Sequence, residues 1–135
     1  MKRRLLLALA VLLAFAASAV AQTTVVNPTG LEFTPSADHA VIGLDGLPKV
    51  ASYELRLFLE TGTVPVKIVN LGKLTPVANL IAITNATFFA GLALDVKHVA
   101  KVAALGSSGE GVSTNSNPFG NAAPAAAPGA ATIKK

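Results

Sequence analysis

Chemistry requires polar side chains that converge, and few residues of this 135-residue sequence could do so. It has two histidines, His39 and His98, and no cysteine. A zinc ion takes three or four ligands from His, Cys or carboxylates. Two histidines on separate predicted strands fall short of that, so no metal site is expected. Calcium would need several converging oxygens, whereas Asp45-Gly46 reads only as a turn signal. Ser107, Ser108 and Glu110 lie in a Gly-rich stretch, but no Gly-x-Ser-x-Gly elbow occurs and no His-Asp pair is placed to activate a serine. The carboxylates that could pair for glycoside hydrolysis, Glu32, Glu54, Glu60 and Asp95, alternate outward from predicted strands or lie in turns. Neither a catalytic residue nor a bound cofactor is expected.

The remaining polar motifs read as structural. His98 sits among aliphatic neighbours and is expected to face inward. His39 beside Asp38 is expected to be a solvated turn pair. Asn85-Ala86-Thr87 matches a glycosylation acceptor and is read as a chance match, because the start of the chain suits a bacterial export signal. Stacked sugar rings would need an open aromatic platform. After residue 21 the chain has only Tyr53 and five Phe and no Trp, which weakens a carbohydrate-binding reading.

Those residues must be positioned by elements, and the chain divides into four parts. Residues 1–21 have a basic start (Lys2, Arg3, Arg4), an apolar run from Leu5 to about Ala17 and the small-residue site Ala19-Val20-Ala21. This predicts a helical, cleavable signal peptide that leaves Gln22 first, with export to the periplasm or beyond and no membrane span after cleavage. Residues 22–28 read as a lead-in, 29–119 as one domain, and 120–135, dominated by Ala, Pro and Gly, as a disordered tail. Of eleven Lys plus Arg, three lie in the signal and two at the end, so residues 22–133 carry six against seven Asp plus Glu. The basic pI belongs to the ends of the chain and gives no support for nucleic-acid binding. A chain of this size buries roughly 65% of its unfolded surface, so a core can hold it without a disulfide.

Period two is the strongest pattern inside the domain. Tyr53, Leu55, Leu57 and Leu59 alternate with Glu54, Arg56, Phe58 and Glu60, predicting a half-buried antiparallel strand with one wet face. Shorter strands are predicted at Leu31–Thr34, His39–Leu44, Val66–Asn70, Leu80–Thr84, Lys97–Leu105 and Gly111–Thr114. Turn signals at Pro35, Asp45-Gly46, Gly62, Gly72, Asp95 and Gly106 to Gly109 separate them. Phe89, Leu92, Val96, Val99 and Ala103 also fall at helical spacing, a competing reading. Against it, alternation from Lys97 to Ala104 ends in a Gly-Ser turn. The expected fold is all-β, a seven-stranded antiparallel sandwich.

Leu92, Asp95, His98, Ala100, Val102, Ala104, Gly109 and Ser113 together resemble the E–F corner, F strand and F–G loop of a fibronectin type III domain, an immunoglobulin-like fold. Tyr53-Glu54-Leu55-Arg56-Leu57 is similar to its C strand, and Pro28 to Phe33 fits its A strand. The chain departs from the family in lacking its B-strand Trp and in having His98 where the corner Tyr stands. The resemblance implies that Leu92 and His98 form a structural corner, with His98 replacing the tyrosine's hydrogen bond to the backbone. It implies aliphatics around Ala40 to Leu44 in the core. It makes Ser107, Ser108, Gly109 and Glu110 an interaction loop. The expected function is a secreted, non-catalytic binding or assembly module acting on a protein or an envelope or extracellular polymer, with self-association open. The alternatives are a structural subunit of an extracellular polymer, a carbohydrate-binding module or a small secreted enzyme.

Overall fold

The computed structural model describes residues 22–134, so the signal sequence expected at 1–21 lies outside the described residues, as does Lys135. The strands are β1 (Val25–Val26), β2 (Gly30–Phe33), β3 (Ser52–Leu59), β4 (Pro65–Gly72), β5 (Ile81–Thr84), β6 (His98–Gly106), β7 (Gly109–Val112) and β8 (Phe119–Gly120). They form a large sheet in the order β1-β8-β6-β3-β4, with β7 also on β6, and a small sheet of β2 with β5. The chain is therefore all-β. It is not wholly antiparallel as expected, because β1 runs parallel to β8, and the lead-in supplies that strand.

β3 lies between β6 and β4, and its alternation is the cleanest. Leu55 and Leu57 are fully buried, and Tyr53 is nearly so. Directly opposite them on β6 stand Val102, Ala100 and Ala104, and residues directly opposite share a face. Across the core, Leu31 of β2 packs against the cluster of Leu55, Leu57, Phe89, Leu92 and Phe119. Phe33, Ile81 and Ile83 of the small sheet pack around Tyr53 and Val50. The alternation breaks at Phe58, which lies on the outward face yet is buried. A register shift falls between Leu57 and Phe58, and the Lys101 ammonium stands 5.3 Å from the Phe58 ring centroid. Such a cation over a ring is worth about 0.5–1 kcal/mol at an exposed site.

Beyond β6 the chain returns along its free edge, where β7 and β8 lie end to end. Between them two serines keep the ladder satisfied. Ser113 N–H donates to Val102 O while Val102 N–H donates to Ser113 Oγ, both at 2.9 Å. Ser116 repeats this against Ala100, at 2.8 and 2.9 Å. Each hydroxyl stands in for a strand carbonyl, so the N–H groups of Ala100 and Val102 stay paired without regular pairing.

One expectation is corrected, and one competing reading is set aside. Residues 39–44 are not a core strand; they belong to a turn and an exposed hairpin closed by the bridge between Ile42 and Pro48. The core aromatic contact comes instead from Phe33, edge-on to Tyr53 with centroids 5.2 Å apart. The helical spacing from Phe89 to Ala103 yields only a 3-10 turn at Ala86–Phe89, capped by the Asn85 side chain accepting from Thr87 N–H, before β6 begins. Asn85 is thus committed to a cap. Hydrogen bonds to the domain continue beyond Phe119. Ala122 N–H donates to Asn27 Oδ1 at 2.9 Å and Ala123 N–H to Asp95 Oδ1 at 3.0 Å. Residues 124–134 are exposed and carry no secondary structure.

Candidate functional site

Polar and exposed apolar groups gather at the end of the domain where β3 starts and β6 stops. Tyr53 is the second residue of β3, and its hydroxyl accepts from Ser36 N–H at 3.2 Å and lies 2.8 Å from His39 Nδ1. The hydroxyl can donate to Nδ1 while accepting from Ser36, which satisfies both lone partners. The two rings stack, 5.8 Å apart and 13° from parallel. His39 therefore packs on the core tyrosine instead of forming a solvated pair with Asp38, which faces Lys49 at 3.4 Å.

From this anchor the chain projects as a finger. Lys49 N–H donates to Val41 O, and Gly43 N–H donates to Leu47 O at 2.7 Å. Gly46, at φ +77°, makes the left-handed step at the tip that suits glycine. The finger exposes Val41, Ile42, Leu44 and Leu47, with Leu44 wholly in solvent and Ile42 60% exposed. Isolated surface aliphatics are ordinary; here four stand together on one short hairpin.

The finger is braced on two sides. Asp45 at its tip accepts from Ser107 O–H at 2.6 Å through one carboxylate oxygen and from Leu47 N–H at 3.0 Å through the other. Those two donors, Ser107 first, hold the Asp45 carboxyl below the usual carboxylate range. At its base, Lys73 Nζ donates to His39 O and Val50 O. Gly106 makes the close approach possible, because a Cβ there would stand 1.8 Å from Lys49 O.

Of the expected interaction loop, Ser107 is thus engaged by Asp45, and Glu110 is held by Arg56. The Arg56 guanidinium donates to both Glu110 oxygens and to Glu54 Oε2. The pairing pushes the guanidinium up, with Glu110 the larger cause and Glu54 the next, and holds the Glu110 carboxyl down. Ser108 and Gly109 remain exposed. Between loop and finger base lies a shallow groove of about 290 Å³ lined by Asp38, Lys49, Ser108 and Glu110 among others.

Leu92 and His98 lie at the opposite end of the domain. His98 is buried, its Nδ1–H donates to Val96 O at 2.9 Å, and its ring stacks on Phe119 at 5.9 Å. Leu92 packs in the same cluster as Phe119. Their surroundings are hydrocarbon and backbone. Among the described residues no group of three or more His, Asp and Glu side chains is gathered that could hold a metal, and no helix is long and apolar enough to cross a membrane.

The chain matches no known protein family model, and no curated protein matches it. The finger is the feature that sequence reasoning missed. Its signal was present in the two glycines and the proline of Val41-Ile42-Gly43-Leu44-Asp45-Gly46-Leu47-Pro48, too tightly spaced for a core strand.

Proposed function

We propose that the protein is an exported, non-catalytic binding module of fibronectin type III character that engages its partner through the finger at residues 41–47. The carrying observation is that Ile42, Leu44 and Leu47 are held out in solvent on a hairpin braced at tip and base. Pre-ordering lowers the entropy lost on binding, and an apolar tip rimmed by polar groups has the composition of an interface core with its rim. Export, to the periplasm or the extracellular space, is supported by the composition of residues 1–21. The fibronectin-like assignment is supported by two sheets facing across one core and by the residues from Leu92 to Ser113 already described. The partner is a protein or an envelope polymer that offers an apolar cleft. An anionic lipid surface is disfavoured by the ionised Asp45 at the tip.

The test is mild cross-linking of the protein in its producing culture, with mass spectrometry of what is joined, beside the double variant Leu44→Asp, Leu47→Asp. The wild type is expected to give reproducible links to one other molecule. The variant is expected to lose them while its melting temperature stays the same, because both side chains are exposed. Links that persist in the variant would sink the proposal.

A further inference from the structure

The strongest feature outside the finger is the free edge of β4. One edge pairs with β3, and among the described strands none pairs with the other. Around it Val64, Val66 and Ile68 are 74%, 50% and 53% exposed. Edge strands normally carry charges, Pro, bulges or a covering segment that block pairing with another chain. Here the protection is partial. The strand's one charged side chain, Lys67, turns inward and donates to Thr87 O at 3.0 Å and Ala90 O at 2.8 Å. Pro65 stands only at the start, and the register shifts against β3 leave Lys67 to Asn70 regular.

A segment pairing with this edge must run antiparallel or parallel to it, place an apolar group opposite Ile68, and bring no like charge against Lys67. A second β4 meets these conditions. With the two-fold axis at Ile68, each Ile68 faces its copy, Val66 faces Asn70, and Lys67 faces Val69. Moving the axis one residue, to Lys67, would set two lysines against each other, which is unfavourable across a strand pair. The nearest charge on the outward face, Arg56 opposite Ile68, is paired with Glu54 and Glu110, and the two clusters, each of net charge −1, would stand about three strand spacings, roughly 14 Å, apart, beyond a Debye length. We propose that two copies of this chain associate through antiparallel β4–β4 pairing centred on Ile68, joining their large sheets into one. The contact is isologous and closes at two copies. Pairing over about five residues buries less than the roughly 1,200 Å² of a standard interface, so the dimer dissociates on dilution. This association does not depend on the finger.

Sedimentation of the protein purified from its producing cells, across a concentration series, reads the outcome. A monomer–dimer equilibrium is expected. Ile68→Lys is expected to weaken it at least about tenfold, by setting like charges across the axis, with an unchanged melting temperature at concentrations where both proteins are monomeric. Leu44→Asp is expected to leave the dimer intact, so failure of the finger reading and failure of this one are told apart. As a second readout, Ile68→Cys should form a disulfide-linked dimer on mild oxidation, while Val77→Cys, more exposed but off the strand, should not. A monomer at every concentration, an equilibrium unmoved by Ile68→Lys, or equal cross-linking of both cysteine variants would overturn the proposal.

Discussion

Tyr53 is where core and finger meet: its ring fills the cluster with Ile81 and Val50 while its hydroxyl holds Ser36 and His39. Tyr53→Phe keeps the ring and removes both bonds. It should cost about 1 kcal/mol in denaturant unfolding and speed amide exchange from Ser36 to Val41; unchanged stability and exchange would show that the hydroxyl anchors nothing. The place of Tyr53 on an apolar face was legible from alternation. Its partners were not, since they lie 17 and 14 residues earlier in a loop with no period. Acid tests the braces. Asp45 and Glu110 have ordinary values of 3.8 and 4.5, and both are depressed in the fold. Their contribution is complete above those values and is lost as pH falls through the depressed ones. The Asp45–Ser107 and Glu110–Arg56 contacts should therefore hold from pH 7 to about 5 and release only below the ordinary carboxylate range, as followed by side-chain NMR titration. In Asp45→Asn the step at Ser107 should disappear; a step that survives would assign it elsewhere.

At the scale of elements, the strands with alternating or continuous apolar runs, β3, β4 and β6, were readable to within a residue or so, because each buries one face against a neighbour. Residues 39–44 were not. An apolar run reads the same whether it fills a core or arms an exposed hairpin, and only tertiary contacts decide. The loop from Ser107 to Glu110 was found as a turn, yet its engagement by Asp45 and Arg56 depends on residues 62 and 54 positions earlier. The crossing of β6 over the finger base depends on Gly106. Gly106→Ala would drive a methyl into Lys49 O, a backbone atom with no rotamer to yield. The expected loss is about 2 kcal/mol or more, seen as a lowered melting temperature together with faster exchange at Leu47. A neutral substitution would mean that the finger base is free to shift.

Over the whole molecule, the loops and finger occupy one end, and His98, Phe119 and the departure of both chain ends occupy the other. The even charge balance of residues 22–133 was legible, and it agrees with a surface whose distinctive groups are aliphatic. The pairing of the lead-in with β8 was not, because a two-residue strand carries no period. That pairing has a mechanical meaning. β1 and β8 run parallel, bonded from Val25 N–H to Pro118 O and from Asn27 N–H to Gly120 O. One follows the chain's entry and the other precedes its exit. Tension applied between the two ends slides these strands past each other along their axes, loading the bonds together instead of peeling them one by one. A domain tethered at both ends would thus meet traction with its terminal strands in shear, and its lifetime under load would be set by the barrier to that sliding.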